Sequence, residues 1–240
     1  MKPIFSIITV SYNAEHTIAR TVQSVYNQTD DNIEYILIDG GSTDHTVDIA
    51  RKIYPEIKVL SEKDSGIYDA MNKGLHMAQG EYVWFLNAGD QIYDNDIISA
   101  LSDCCVNALP DIIYGDTMLV DDNNKELGLR RLRPPHKLKW TSFKDGMLVC
   151  HQAFIVRRSV AMDYNLKYKL SSDVDWCIRC MKKANSIYNS NFILVKYLHE
   201  GLTTANRKKS LIERFCIMTK HYGVVSTLYH HLKFVFVKRR

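Results

Sequence analysis

The sequence predicts an α/β fold with a mostly parallel central sheet flanked by helices. Over the first hundred residues, short apolar runs alternate with segments of helical periodicity, as parallel strands and their crossover helices do. Polar turn-forming residues follow the apolar runs, at the positions where such strands would end. A composition of 46% hydrophobic and 24% charged residues is typical of a folded globular chain and excludes low-complexity classes.

The first half of the chain supplies four predicted strands and three predicted helices. Each strand is a short apolar run bounded by polar or glycine residues. Each helix repeats apolar residues at spacings of three and four, and the second helix stops near Pro55, which cannot continue it. We predict strands at residues 4–10, 33–39, 57–60 and 82–86. We predict helices at about 14–26, between the turn 40–44 and a stop near Tyr54, and at 67–78.

The second half alternates less regularly between apolar runs and helical segments, which indicates a different kind of structure. Pro134 and Pro135 mark a connection, and residues 121–124 are typical of a hairpin turn. We predict helices near 95–105 and at 173–183, and strands from Ile112 onward, at 154–156 and at 187–197.

The amino terminus and the cysteines indicate a cytosolic chain with reduced thiols. The apolar run at residues 4–10 is interrupted by Ser6 and Thr9 and is too short for a secretory signal or a membrane span. Cys177 and Cys180 have the spacing of a metal pair, but they lie in a predicted helix and have no second pair. Buried or reduced cysteines are therefore favoured over a zinc or redox site.

Polar residues follow four of the predicted strands, at residues 11–13, 39–41, 61–64 and 87–90. Ligands of open α/β sheets bind beyond the carboxyl ends of the strands, so these four segments are candidates for one site. Each segment alone is also an ordinary turn. Their meeting at one edge of the sheet is the stronger argument for function.

The usual backbone cradles for phosphate are absent from the sequence. No G-x-G-x-x-G follows the first strand, and no G-x-x-x-x-G-K-[ST] occurs anywhere. A carboxylate at a strand end can instead hold Mg²⁺ or Mn²⁺, which then bridges to a diphosphate. Asp90 suits that role.

Four separated blocks, at residues 7–13, 38–44, 64–74 and 80–90, resemble the family 2 glycosyltransferases in sequence, order and spacing. The resemblance continues more weakly through residues 151–154 and 172–176 to about residue 205. It implies a GT-A fold over residues 1–205, with a nucleotide-binding half at 1–100 and an acceptor-binding half at 101–205. It also implies transfer of a sugar from a nucleoside diphosphate sugar with inversion at the anomeric carbon, and a UDP-sugar is the favoured donor.

Carried over by position, the resemblance implies a nucleotide site, a metal ligand and a catalytic base. Tyr12 would lie against the base of the nucleotide, Asp39 would bond its edge, and Asp64 would help to hold the nucleoside. Asp90 would be the ligand of Mg²⁺ or Mn²⁺, and Asp173 the catalytic base. The remaining candidates are Ser11, Glu15, Asn87 and His151 for contact with the nucleotide and its diphosphate, and Asp175 and Trp176 on the acceptor side.

The sequence departs from the family pattern at two places. Asn87 and Gly89 stand where the family commonly has further aspartates, so Asp90 is the one carboxylate left to hold the ion, and we expect modest affinity. Ser172 stands where an acidic residue commonly precedes the base. The pKa of the base would then depend on burial and on neighbours such as Asp175.

The implied mechanism is a single displacement. Asp173 would accept the proton of an acceptor hydroxyl whose oxygen attacks the anomeric carbon opposite the diphosphate, while the cation offsets charge on the leaving group. The other interpretation of Asp173 is structural: it begins a helical segment and could serve as its N-cap.

Residues 206–240 are predicted to form a basic amphipathic helical tail. This segment holds nine Lys or Arg residues and a single acidic residue, Glu213. Its apolar residues Leu211, Phe215 and Met218 follow helical spacing. The tail either docks on the inner leaflet of a membrane, where a lipid-linked acceptor would be found, or packs on the catalytic domain with a solvated basic end.

The partners expected are a nucleoside diphosphate sugar and a glycan or lipid-linked acceptor in surface polysaccharide biosynthesis, with no nucleic acid. The expected location is the cytoplasm, with or without peripheral contact to the membrane. Two other functions stay open. A sugar-phosphate nucleotidyltransferase would need a glycine-rich basic loop after the first strand, which residues 11–15 do not supply. A nucleotide-sugar binding protein with little turnover would fit the reduced metal motif.

Overall fold

The computed structural model describes residues 2–199 and 207–237. These residues form one sheet of nine strands with helices packed against it. In chain order the strands are β1 (Phe5–Ser11), β2 (Ile33–Asp39), β3 (Lys58–Ser61), β4 (Tyr82–Phe85), β5 (Gln91–Ile92), β6 (Ile112–Val120), β7 (Glu126–Leu129), β8 (Phe154–Arg157) and β9 (Ile187–Leu198).

Seven helices accompany these strands in the described part of the chain. They are α1 (Ile18–Tyr26), α2 (Thr46–Ile53), α3 (Ile67–Met77), α4 (Ile97–Ala108), α5 (Ser172–Lys183), α6 (Arg207–Tyr222) and α7 (Val224–Val237). Two short 3-10 helices lie at Trp140–Asp145 and His151–Ala153. In α1 the buried residues Ile18, Val22 and Val25 recur every three or four positions, which is why one side of this helix packs on the sheet.

The sheet has the order β3-β2-β1-β4-β8-β6-β9-β5, and β7 pairs with β6. Strands β1 to β4, β6 and β9 run in one direction, whereas β5, β7 and β8 run in the other. The sheet is therefore mostly parallel, as predicted. The carboxyl ends of β1, β2, β3 and β4 lie side by side, and we call this border the strand edge.

The central strands are buried on both sides. Every residue of β1 and of β4 is buried, which accounts for their almost continuous apolar sequences. Helix α3 lies so close to β1 that a Cβ on Gly74 would stand 2.4 Å from the Ile8 Cγ2 atom. Only glycine allows this approach of helix to strand.

The predicted elements of the first half are confirmed at closely similar bounds, and so is the hairpin, which joins β6 to β7. Two details differ. The two-residue strand β5 was not predicted, because so short an apolar run carries no periodicity. Helix α5 begins at Ser172, with Ser171 rather than Asp173 at the N-cap position. The interpretation of Asp173 as an N-cap is therefore wrong.

The tail forms two helices with different surroundings. Helix α6 buries Ser210, Ile217 and Met218 against the rest of the protein. This helix therefore packs on the catalytic domain, which is one of the two arrangements predicted for the tail. Helix α7 instead exposes Val225, Tyr229 and several other apolar side chains. The predicted boundary at residue 205 and the basic end at 238–240 lie outside the described residues. The division at residue 100 stays a prediction, and one continuous sheet crosses it.

Candidate active site

Strand register places three polar side chains next to one another at the strand edge. Asp39 pairs with Ser11 on one side and with Ser61 on the other. Both serine hydroxyls donate to the Asp39 carboxylate, at 3.1 Å from Ser11 and 2.7 Å from Ser61. Asp39 is fully buried, so these bonds supply the solvation that water cannot.

The Asp39 carboxylate also shapes the turn that follows β2. It accepts hydrogen bonds from the backbone N–H groups of Gly41 and Ser42 and from the Ser42 hydroxyl. Burial by itself raises the pKa of Asp39, but the bonds from Ser42, Ser61 and Ser11 outweigh it, and the pKa lies below its ordinary value. Asp39 is therefore an ionised anchor of this edge. Its bond to a nucleotide base stays a prediction.

The loops after β1 and β2 are joined by hydrogen bonds. Asn13 adopts a left-handed backbone (φ 47°), and its side-chain oxygen accepts a bond of 3.0 Å from the N–H of Thr43. The Glu15 carboxylate accepts from the N–H of His45 at 3.1 Å. These bonds make one rigid surface of the two loops. The predicted contact of Glu15 with the nucleotide stays a prediction.

Tyr12 and Asp64 both lie next to Gly40. A Cβ at Gly40 would be 2.7 Å from Asp64 Oδ2 and 3.4 Å from Tyr12 Cδ2. The absent side chain therefore keeps open the space between an aromatic ring and a carboxylate. Tyr12 is 66% exposed, so its ring offers a free face on which a nucleotide base can stack.

The turn after β4 carries Asn87 and Asp90. The N–H of Asp90 donates to the carbonyl of Asn87, and the N–H of Gly89 (φ 103°) donates to the Thr21 hydroxyl. The side-chain oxygen of Asn87 is buried and has no hydrogen-bond partner in the described structure. An acceptor left unsatisfied in this way is a place for a donor or a cation.

Asp90 is only 5% exposed and meets the last strand of the sheet. Its Oδ1 accepts a hydrogen bond of 3.0 Å from the N–H of Leu198. Burial raises the pKa of Asp90 to about 7, against the opposing effect of the bonds from Leu198 and Gln152. A nearby cation would favour the ionised form of this carboxyl group.

The donor set at this turn fits a divalent cation that takes few ligands from the protein. Nowhere in residues 2–199 and 207–237 do three or more His, Cys, Asp or Glu residues form a group able to hold a metal ion. The Asp90 carboxylate and the unpartnered Asn87 oxygen are hard oxygen ligands, which suit Mg²⁺ or Mn²⁺ when phosphate and water complete the coordination.

Asp173 lies half-buried in the first turn of α5. Its Oδ1 accepts a hydrogen bond of 3.1 Å from the hydroxyl of Tyr68 on α3. The bond joins residues 105 positions apart in the chain. It fixes the direction of a carboxylate that is still reachable from solvent, as a general base must be.

Beside Asp173 lies a group of buried rings built around His151. Its Nε2 is 2.6 Å from the Tyr164 hydroxyl, and Tyr164 stacks on Trp176 with ring centroids 4.8 Å apart. Burial lowers the pKa of His151 to about 4, although the charge of Asp173 acts in the opposite direction. His151 is thus neutral at pH 7. Its predicted contact with the diphosphate stays a prediction.

Two residues predicted to line the acceptor side are buried instead. Trp176 is fully buried, and its indole N–H donates to the carbonyl of Met162. Asp175 is fully buried in an ionic cluster with Arg179 (2.6 Å), Lys220 (3.3 Å) and His221 (2.8 Å). The expectation was wrong because α5 packs under α6, so this side of the helix does not face an open surface.

Tyr197, near the end of β9, was missed by the sequence analysis. Burial raises its pKa, and the charges of Asp90, Cys150 and Asp173 raise it further. Tyr197 thus lies within electrostatic reach of both the candidate metal ligand and the candidate base. No local pattern marks this residue, because only the pairing of β9 with β6 brings it to the site.

Comparison with known proteins decides the family. The family described as glycosyl transferase family 2 matches residues 6–164, which is more than half of the chain. The chain belongs to glycosyl transferase family 2. A PGL/p-HBAD biosynthesis glycosyltransferase of Mycobacterium bovis is similar to this transferase, with 31% identity over 228 residues that cover 91% of this chain and 86% of the relative.

Solved structures with a similar fold are also glycosyltransferases. S. aureus TarS (residues 1–349) superposes with a TM-score of 0.72 at 17% identity, covering 98% of this chain and 72% of that one. A mannosyltransferase from Pyrobaculum calidifontis, solved with GDP-Man and Mn²⁺, has a TM-score of 0.70 at 16% identity and covers 97% and 71%. The predicted GT-A fold and the class of glycosyltransferase are confirmed.

Within the described ranges, no helix of this transferase is both long enough and apolar enough to cross a bilayer.

Proposed function

We propose that this transferase moves a sugar from a nucleoside diphosphate sugar, with a UDP-sugar as the favoured donor. The sugar goes to a hydroxyl of a glycan or lipid-linked acceptor in surface polysaccharide biosynthesis. The observation that carries the proposal is a pair of carboxylates held in place by the fold: Asp90 accepts a hydrogen bond from the Leu198 N–H, and Asp173 accepts one from the Tyr68 hydroxyl. One suits a cation at a diphosphate and the other suits a proton acceptor. Asp90 and Asp173 are far apart in the sequence, and the fold brings both within electrostatic reach of Tyr197.

The donor would lie along the strand edge. The exposed ring of Tyr12 offers a stacking face, and Asp64 lies next to the same glycine, Gly40, as this ring does. TarS has been solved with UDP-GlcNAc and the P. calidifontis enzyme with GDP-Man, which supports a nucleoside diphosphate sugar as the donor class. Asp90 and Asn87 would hold the divalent cation, which neutralises charge on the diphosphate leaving group.

The acceptor would react at Asp173. Its carboxylate takes the proton of the acceptor hydroxyl as the oxygen bonds to the anomeric carbon and the bond from that carbon to the diphosphate oxygen breaks. Attack from the face opposite the diphosphate gives inversion. The bond from the Tyr68 hydroxyl to Oδ1 orients the carboxylate and leaves Oδ2 to receive the proton. Neutral His151 beside it adds no competing positive charge.

The test is the substitution Asp173→Asn, with the exposed Asp48→Asn on α2 as a matched control. We expect release of nucleoside diphosphate from a UDP-sugar and GDP-sugar panel, with alkyl glycosides as acceptors and Mn²⁺ present, to fall by about 10²- to 10⁴-fold. The rise in melting temperature that UDP or GDP gives with Mn²⁺ should be unchanged. Retained turnover, or loss of that rise, would contradict the assignment.

The surface of the tail supports action at the cytoplasmic face of a membrane. Val224, Val225, Leu228, Tyr229 and Leu232 of α7 are exposed, and residues 206–240 are strongly basic in sequence. Exposed apolar groups with nearby positive charge favour an anionic bilayer. Replacing Val225 and Tyr229 by serine should reduce sedimentation with phosphatidylglycerol vesicles. Equal sedimentation of variant and wild type would contradict membrane contact through α7.

A further inference from the structure

A cavity of about 420 Å³ opens between the three carboxyl-terminal helices and the 3-10 helix Trp140–Asp145. It is separate from the strand edge. Its walls include Val174 on α5, Leu211 and Met218 on α6, and Phe143 and Met147 in the preceding connection. A space of this size and apolar character is suited to an alkyl or aromatic group.

The cavity also carries positive charge. Arg131, Lys144, Arg214, His230 and His231 contribute to its lining, whereas Asp145 is its one acidic lining residue. Several of these groups have partners of their own. His230 lies 3.0 Å from the Asp145 carboxylate, and the Lys144 ammonium lies 5.6 Å from the centre of the Tyr222 ring.

Arg214 differs from these neighbours. Its Nε is buried and has no hydrogen-bond partner among the described residues. No described side chain forms an ion pair with Arg214, so its charge is unpaired beside the cavity, and an anion bound there can accept hydrogen bonds from its terminal guanidinium nitrogens. The cavity therefore combines an apolar volume with an unsatisfied cationic donor.

The position of the cavity relates it to the reaction. Val174, in its wall, is the residue next to Asp173 in the first turn of α5. Successive residues of a helix point about 100° apart, so the cavity and the candidate base occupy neighbouring sides of the same turn. On the proposed function, a ligand that extends from the cavity toward Asp173 would bring its hydroxyl to the candidate base.

We propose that this cavity binds the anionic group and the adjoining apolar chain of an amphiphilic acceptor. The identification of the occupant as the acceptor rests on the proposed function, whereas the binding of an anionic amphiphile rests on the cavity alone. Phosphate or carboxylate attached to an alkyl or aromatic group is the chemistry that Arg214 and the apolar walls recognise together. A free inorganic anion would leave the apolar walls unfilled.

The test is calorimetric titration with octyl phosphate below its micelle concentration, beside octyl glucoside and inorganic phosphate. We expect octyl phosphate to bind at least about tenfold more tightly than either of the other two, because each lacks one half of the recognised chemistry. Octanoate in place of octyl phosphate separates a carboxylate head from a phosphate head. Equal binding of octyl glucoside, or of inorganic phosphate, would overturn the proposal.

Variants of Arg214 sharpen the test. Arg214→Met should weaken octyl phosphate binding by about tenfold or more, and Arg214→Lys should recover much of it. Arg51→Met on α2, an exposed arginine outside the lining of the cavity, is the matched control and should bind as wild type does. Circular dichroism melting verifies that each variant is folded. Undiminished binding by a folded Arg214→Met variant would overturn the proposal.

A nucleotide titration separates this proposal from the proposed function. UDP and GDP with Mn²⁺ are titrated into the wild type and into Arg214→Met, and both should bind equally well because Arg214 lies away from the strand edge. If octyl phosphate binds and neither nucleotide does, the proposed function fails and the cavity site stands. If the nucleotides bind and octyl phosphate does not, the cavity site fails alone.

Discussion

Asp39 at the strand edge and Arg214 in the helical layer of α5, α6 and α7 differ in how far their polar atoms are hydrogen-bonded. At the strand edge the Asp39 carboxylate accepts bonds from three serines and from backbone N–H groups of its own turn. In the helical layer the Arg214 Nε has no partner, and a cavity lies beside it. The Asp39 carboxylate is thus fixed by hydrogen bonds from its own surroundings, whereas Arg214 is left without a partner beside an open cavity. If the cavity holds the acceptor as proposed, changes in its lining would alter acceptor specificity and leave the strand edge unchanged.

The largest effect is expected from breaking the helical layer alone. Asp175→Ala would leave Arg179 and His221 without their buried anion, and we expect a loss of about 3–5 kcal/mol in the free energy of unfolding. The exposed pair of Asp163 with His76 is the control, and Asp163→Ala should cost less than about 1 kcal/mol. Chemical denaturation measures both. Similar losses for the two variants would show that the buried cluster is not a special anchor of α6.

A second effect concerns pH and His151. Its pKa in the folded protein is about 4, below the ordinary 6.5, so the unfolded chain binds a proton that the folded protein does not. The stability from this group is complete above pH 6.5 and is lost as the pH falls toward 4, by about 3 kcal/mol in total. His151→Gln should reduce this slope in denaturation curves measured from pH 4 to 7. An imidazole that titrates near 6.5 by NMR would refute the buried, neutral state.

A third effect is expected at the strand edge. Asp90→Asn removes the negative charge at the turn after β4, and the affinity for UDP or GDP in Mn²⁺ should fall by at least about a hundredfold. Because burial already disfavours the charge of Asp90, we expect the free energy of unfolding at pH 8 to stay the same or rise. Titration calorimetry with and without EDTA measures the difference. Nucleotide affinity that EDTA lowers equally in variant and wild type would rule out Asp90 as the ligand.

The smallest effect is expected at Gly40, next to which Tyr12 and Asp64 both lie. Gly40→Ala would place a Cβ 2.7 Å from Asp64 Oδ2, and the carboxylate must move. We expect nucleotide affinity to fall by about tenfold with little change in melting temperature. Gly128→Ala is unsuited as a control because of its positive φ, so Ser65→Ala, next to Asp64, serves instead. Unchanged affinity in Gly40→Ala would place the base elsewhere.

The strand edge could be predicted from the sequence because its determinants are local. Apolar runs that end in turn-forming residues locate Ser11, Asp39 and Asp90 without knowledge of the fold. The helical layer could not be predicted to the same depth. The bond from Tyr68 to Asp173 and the approach of Tyr197 to both carboxylates depend on tertiary packing between distant segments. Asp175 and Trp176 were misplaced for the same reason, since sequence does not show that α6 covers α5.

The hydrogen bond from Leu198 to Asp90 has a consequence for how the protein matures. It joins residues 108 positions apart, so the turn that carries Asp90 is completed only after β9 has added to the sheet. Such distant pairings form late because loop closure over many residues is entropically unfavourable. Until β9 has joined the sheet, the turn that carries Asp90 lacks this hydrogen bond. The proposed site for the diphosphate of the donor is therefore completed only with the last strand of the described sheet.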